Sequence, residues 1–425
     1  MITPKKHFPA AIFTPARPVL ACPIGGRSMP GMVPLALRPA FNANSADLTA
    51  RLEAWSTINS GSDHLAGLTR MADALETSLR ELTADVARVP LDANGRAALR
   101  ARSANFAETT PARRVLCSGH YDTVFGERHP FQRPTRIDAD TLRGPGVADM
   151  KGGIVVMLAA LTAVRHELAA ASLGWEILLT PDEETGSAAS RPLIEAVARD
   201  HTLALIFEPA RPDGSLVRSR KGTGIFTVTS HGRAAHAGNQ PAQGRNAILA
   251  LAEFLLSARD LPAEIPGLLL NVGSIRGGGP AVNIVPDFAT ADLDVRASTP
   301  DAAETVARRL AELAAPIQAR EGHRLEISGG FNRPPMAPTA DTEHYFALLQ
   351  ACARKLDLPA PAWTDVGGGS DGNLLAAAGL TCLDGLGPIG GGLHSADEYV
   401  HLPSLAERAR LTALFLHRLA AAGRP

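Results

Sequence analysis

The chain has 425 residues, more than the roughly 250 to 300 that one hydrophobic core usually organises, so two compact domains are expected. Apolar residues make up 45% and charged residues 20%, and 42 basic against 43 acidic side chains leave a formal net charge of -1. Without a basic surface to release counterions or meet lipid charge, a nucleic-acid or anionic-membrane partner is not expected.

Cys22, Cys117, Cys352 and Cys382 lie far apart, with no CxxC pair and no His at zinc-finger spacing. They form neither a disulfide framework nor a sulfur-ligated metal site, and Cys117 and Cys382 read as small buried hydrophobes. Lys5 and Lys6 precede a segment ending Val19-Leu20-Ala21-Cys22, but Pro9, Pro15, Arg17 and Pro18 make it a poor signal core. Residues 1–31 therefore read as a disordered extension. The longest helical candidates are interrupted by Arg, Glu or His, short of the about 18 apolar residues that span a bilayer. A soluble, cytoplasmic protein is expected, with a periplasmic location left open.

In chain order, Leu48, Leu52 and Trp55, then Leu68, Met71, Leu75 and Leu79, recur at helical spacing. A buried strand covers Val115 to Gly119 and runs into His120-Tyr121-Asp122. Ile154 to Leu161 is a buried helix. Strand Trp175–Leu179 precedes Asp182-Glu183-Glu184, and strand Leu203–Phe207 precedes Glu208. Strands alternating with helices predict an α/β sheet flanked by helices. From Gly222 to about Phe331 the texture changes. Ile225 to Thr229 alternates as a strand, and Asn246 to Ala258 is helical. Phe288 to Ala297 alternates with Ala289, Leu293, Val295 and Ala297 on one face, and a helix N-capped by Thr299 follows. This predicts a small α+β, ferredoxin-like unit over 222–332, inserted between catalytic segments 32–221 and 333–425. The α/β pattern resumes with a helix over Phe346–Leu356 and a strand at Thr381–Leu383.

His120, Glu183, Glu184 and Glu208 each follow an apolar strand, and in open α/β sheets sites assemble outside the strands' carboxyl ends. Asp149 lies in the Gly-rich turn Arg143–Asp149 before the buried helix, and His394 follows Gly390-Gly391-Gly392-Leu393. Alone, a His is more often structural and a Glu pair a solvated turn. Their joint placement at strand ends is the signal, because zinc without thiolates takes His nitrogen and carboxylate oxygen, and two metals need a bridging carboxylate. Of the neighbours Glu183 and Glu184, one can ligate while the other moves protons; the residues alone leave open which.

The runs His120-Tyr121-Asp122-Thr123-Val124, Gly144–Gly153, Pro181–Ser187 and Phe207-Glu208-Pro209 together resemble the successive signatures of the co-catalytic zinc aminoacylase/carboxypeptidase family, its glutamate carboxypeptidase branch above all. His231–Gly238 resembles that family's lid and dimerisation motif, and Gly367–Asn373 with His394-Ser395 its C-terminal site segment; the match spans about residues 46 to 410. The resemblance implies two zinc ions, with cobalt or manganese as substitutes. Asp149 bridges them, His120 and Glu208 complete one site, and Glu184 and His394 the other. It also implies that Asp122 orients His120, that Glu183 is the general base, and that a cis peptide joins Asp149 to Met150. By the same resemblance, Asn283, Arg296 and Gly369 bind substrate, and His236 reaches the partner's active site in a homodimer. A bland reading of Arg296, an ion pair with Asp292 or Asp294, stands beside this one.

The expected activity is cleavage of the amide bond of small peptides or N-acyl amino acids, carboxypeptidase-like on a C-terminal residue such as glutamate. Deacylation of N-acyl amino acids and aminopeptidase action are the alternatives on the same fold. An inactive interaction scaffold is disfavoured because no ligand or base position is missing. Gly222-Thr223-Gly224 lacks the rest of a dinucleotide fingerprint, and no GxSxG elbow appears.

Overall fold

The structure, a computed structural model, describes residues 45–422, so the extension expected over 1–31, Cys22 and the boundary at residue 32 lie outside the described residues. The strands are β1 (Asp85–Pro90), β2 (Ala97–Arg102), β3 (Arg114–His120), β4 (Thr135–Arg136), β5 (Thr141–Arg143), β6 (Gly174–Thr180), β7 (Leu203–Ile206), β8 (Leu216–Arg220), β9 (Gly222–His231), β10 (Leu269–Gly277), β11 (Phe288–Ala297), β12 (Arg324–Arg333), β13 (Trp363–Val366), β14 (Thr381–Asp384), β15 (Gly390–Gly391) and β16 (Tyr399–His401). The helices are α1 (Ser45–Ser56), α2 (Leu65–Leu82), α3 (Lys151–Ala170), α4 (Arg191–Ala198), α5 (Ala247–Ala258), α6 (Leu261–Glu264), α7 (Pro300–Gln318), α8 (Ala340–Lys355), α9 (Asp371–Ala377) and α10 (Pro403–Ala421).

Eight strands form one sheet in the order β1-β2-β6-β3-β7-β14-β8-β13. At its centre β6, β3, β7 and β14 run parallel, while β1 and β2 join antiparallel at one edge. Every residue of β6 and β7 is buried, as a parallel sheet covered on both faces requires. This is the mixed, helix-flanked α/β sheet expected.

Helix α3 fills the core beneath it. Ile154, Val156, Met157, Ala160, Leu161 and Val164 have no exposed surface, and the helix packs on α10 and α1. Contrary to the sequence-based expectation, α3 is long and apolar enough to cross a membrane by length and composition. Its place inside the sheet-and-helix core accounts for that apolarity. Its first turn presses against the sheet. A Cβ on Gly153 would lie 1.9 Å from the Phe207 carbonyl oxygen, and one on Gly152 2.2 Å from that of Val147. Glycine at both positions lets the turn carrying Asp149 approach the end of β7.

A second sheet has the order β10-β11-β9-β12, antiparallel throughout, with α5 and α7 on one face. Along β11 burial alternates strictly, so Ala289, Ala291, Leu293, Val295 and Ala297 face the helices. Asn246 accepts from the Leu249 N–H at the start of α5, and Thr299 from the Ala302 N–H at the start of α7, as the capping residues predict. The core formed here draws only on residues between Phe226 and Leu325, apart from the core around α3. A third, small sheet, β15-β16-β5-β4, ties the strand before the Asp149 turn to the strands flanking His394.

Because Leu161 is fully buried, Leu161→Ala should lower unfolding free energy by about 2–5 kcal/mol, measured by chemical denaturation, through lost transfer energy and the cavity left behind.

Candidate metal centre and active site

His120 ends β3, Glu183 and Glu184 follow β6, and Glu208 follows β7, so adjacent parallel strands deliver them to one edge of the sheet. The turn before α3 adds Asp149, and the loop between β15 and β16 adds His394, a half-exposed side chain on a residue with a φ of 60°. The peptide between Asp149 and Met150 is cis.

The two oxygens of Asp149 face different imidazoles. Oδ1 lies 3.1 Å from His120 Nε2, and Oδ2 lies 3.2 Å from His394 Nε2. Glu208 Oε1 stands 3.6 Å from His120 Nε2, and Glu184 Oε2 stands 3.2 Å from His394 Nε2. Two ligands sharing a tetrahedral zinc at about 2.0–2.1 Å lie roughly 3.3 Å apart, so each set has the spacing of a zinc half-site. Donor atoms of His120, Asp149 and Glu184 also fall within 4.8 Å of one another.

Charge makes the same demand. Asp149, Glu183, Glu184 and Glu208 crowd a site whose imidazoles are His120 and His394. Burial, then repulsion from the Asp149 carboxylate, lifts Glu208 well above the usual carboxylate range, and Glu184 rises for the same reasons. Glu183 is pushed up to about 8, chiefly by burial. Hydrogen bonds to Asp149 and Glu184 hold His394 up to about 11. For His120, burial favours the neutral ring but is outweighed by Asp122 and Asp149. Even with the Arg333 guanidinium 2.8 Å from Glu183, carboxylates this crowded favour a cation among them, and divalent ions would supply that charge. The residues fit a pair of metal ions.

Around this cluster, backbone and side chains are held by further carboxylates. Asp122 Oδ1 lies 3.2 Å from His120 Nδ1, and the same carboxylate accepts the N–H groups of Glu183 and Glu184 at 3.2 and 3.1 Å and the Ser62 hydroxyl at 2.7 Å. It therefore orients both the imidazole and the turn bearing the glutamate pair.

Among the residues the sequence reading missed, Glu398 is fully buried and accepts from the N–H groups of Gly146, Ala148 and Asp149 at 3.1, 2.9 and 3.0 Å. It staples the His394 loop to the Asp149 turn. Its signal in the sequence was slight, an acid four residues after His394. Arg333 was also missed, and its Nη2 lies 2.8 Å from Glu183 Oε1. Lys151, buried within the Asp149 segment, donates to the carbonyls of Trp55 and Ile58 at 3.2 and 2.8 Å, anchoring α3 to the end of α1.

The remaining expected residues sit elsewhere. His236 and Asn283 are neighbours on the second unit, where the Ala237 N–H donates to the Asn283 carbonyl. The His236 ring accepts from the Gly238 and Asn239 N–H groups of its own loop. Arg296 forms a bidentate pair with Asp294 at 2.8 and 3.1 Å, the bland reading of this residue, and also donates to the Gly367 carbonyl at 3.2 Å. Gly369 abuts Arg333, whose Cδ would lie 2.8 Å from a Cβ there.

Paired histidine–carboxylate sets sharing one aspartate, at the carboxyl ends of parallel strands, define the site of a metal-dependent hydrolase. Residues 116–418 match the profile of Peptidase family M20/M25/M40, and the chain belongs to that family. It is 29% identical over 311 residues to carboxypeptidase G2 of Pseudomonas sp. (strain RS-16), covering 72% of this chain and 74% of that one. It is likewise 29% identical over 324 residues to succinyl-diaminopimelate desuccinylase of Maricaulis maris, covering 71% and 79%. A dinuclear metal binding peptidase from Bacillus subtilis shares the fold, with a TM-score of 0.65 at 13% identity over 90% of this chain and 99% of that one.

Glu398→Gln should keep the fold but lower metal affinity about 10- to 100-fold in chelator-competition titrations, because an amide cannot accept from all three N–H groups.

Proposed function

We propose that this enzyme holds two zinc ions, with Asp149 between His120–Glu208 and Glu184–His394, and acts as a carboxypeptidase on peptides or N-acyl amino acids ending in a residue such as glutamate. The observation that carries the reading is Asp149, whose two oxygens each face a different imidazole. Two divalent ions bound there lower the pKa of water and polarise the scissile carbonyl.

The chain's own residues do the rest. Glu183, beside the ligand set but paired to no imidazole, takes a proton from the attacking water and delivers it to the amine nitrogen as the C–N bond breaks. Asp122 fixes the tautomer of His120. Arg296, at the end of β11 beside the Gly367 carbonyl, is placed to meet the substrate's carboxylate with its planar fork, once Asp294 yields it. Gly369 lies in the same segment. Desuccinylase-type deacylation is the second reading, favoured by the equal identity to that relative.

Domain limits follow the same reading, with a ferredoxin-like lid over 222–332 set into a catalytic domain of 32–221 and 333–425. Strand β10 is an edge of the lid sheet, and it exposes Leu269, Val272 and Ile275, while α5 exposes Leu249 and Leu256. An unpaired apolar edge is covered when two copies join across a two-fold axis. Such a homodimer brings His236, which in its own chain bonds only its own loop, over the partner's site, where it stabilises the oxyanion.

Amine release from zinc-loaded protein, followed across peptides and N-acyl amino acids with varied C-terminal residues, tests the substrate class; cleavage of N-succinyl or N-acetyl substrates alone would establish the deacylase. In that assay Glu183→Gln should lose about 100-fold or more in kcat with metal content kept, whereas Glu184→Gln should lose metal. Equal metal loss in both would show that the roles are misassigned. Mixing inactive His236→Ala with inactive Glu183→Gln under subunit exchange should restore part of the activity, since a mixed dimer contains one site with both groups. A mixture that stays inactive after verified exchange means that His236 serves its own chain or is structural.

A further inference from the structure

Arg333 is the last residue of β12, where the chain leaves the second sheet, and it is 5% exposed. A guanidinium so buried has to be paired, and its partners here converge on Glu183. Nη2 lies 2.8 Å from Glu183 Oε1 and also donates to the Glu183 carbonyl at 2.7 Å and to Ser187 Oγ at 3.1 Å. Nη1 reaches Asp371 Oδ1 at 3.4 Å.

Asp371 is in turn held by the Ser187 hydroxyl and by the Thr180 hydroxyl at 2.8 Å. The side chain's path is equally constrained. A Cβ on Gly369 would lie 2.8 Å from Arg333 Cδ, so only glycine leaves that channel open. On the backbone side, Asn332 Oδ1 accepts from the Arg333 N–H at 3.0 Å and from Thr223 Oγ1 at 2.9 Å.

We propose that Arg333 is the positioning residue of the general base, its Nη2 holding Glu183 through both the Oε1 atom and the main-chain carbonyl while Nη1 reaches Asp371. This rests on the reading of Glu183 as base. The ion pair to one oxygen and the hydrogen bond to the backbone together restrict the Glu183 side chain. Asp371 and Ser187 keep the guanidinium from turning away. The segment Gly367–Asn373 then serves Glu183 indirectly, with Gly369 clearing the path and Asp371 anchoring the far nitrogen. Since Arg333 closes β12, displacement of the second unit about its two connections reaches the base through this side chain.

The test is a double-mutant cycle on the zinc-loaded enzyme, with metal content measured for every variant. Arg333→Ala should lower kcat about 100-fold, the scale of a misplaced catalytic group, with KM within about threefold and metal content unchanged. Arg333→Lys, which keeps the charge but not the fork, should recover part of kcat; if Arg333→Ala does not fold, the Lys variant carries the cycle. Adding either change to Glu183→Gln should cost little more than Glu183→Gln alone, because both act on one group. Losses that multiply in the double variant, a rise in KM at constant kcat, or loss of metal would each overturn the proposal. Glu183→Gln with wild-type kcat would instead overturn the reading of the base itself, leaving the two failures distinct.

Discussion

The structure turns on a concentration of buried carboxylates gathered around two imidazoles. Asp149, Glu183, Glu184 and Glu208 meet at one end of the sheet with His120 and His394 between them. An isolated carboxylate taken out of water costs several kcal/mol, so acids buried this close together are held by protons, by the Arg333 guanidinium beside Glu183, or by cations that share the site. Asp149 is the hinge of the arrangement, since each of its oxygens serves a different half.

Holding that cluster is the task of ordinary backbone features. Parallel strands β6, β3 and β7 end side by side, so a single residue or short turn after each is enough to bring its side chain inward. The glycines at 152 and 153 let α3 sit against the end of β7, which brings Asp149 within reach of the Glu208 strand. Glu398 and Asp122 satisfy backbone N–H groups that the tight turns leave without helical partners. In each case a buried acid sets the position of a residue of the carboxylate–imidazole cluster.

The second sheet has its own core, yet two arginines at strand ends reach out of it, one of them to the carboxylate cluster. Arg296 leaves β11 beside Gly367, and Arg333 leaves β12 beside Glu183. Placing cations at the junction of two separately packed units makes the electrostatics of the site depend on how those units meet.

The alternation in β11, the caps Asn246 and Thr299, and the apolar strands preceding His120, Glu183 and Glu208 were legible in the sequence because periodicity and capping are local. So was the arrival of His120, Glu183, Glu184 and Glu208 at one edge, since strand ends in an α/β pattern point the same way. The apolarity of α3 was underestimated because its Arg165, His166 and Glu167 lie in the last turns, where they reach solvent past a buried body. What only the tertiary structure decided is who faces whom. Nothing local assigns the two oxygens of Asp149 to His120 and His394, or gives Glu184 rather than Glu183 the imidazole. Arg333 and Glu398 were invisible for the same reason. Their partners are 150 and about 250 residues away, and a charged residue at a strand end or in a loop reads as solvated until the fold buries it. Sequence spacing encodes direction along one element, whereas charge pairing across elements depends on distances that exist only once the sheet has assembled.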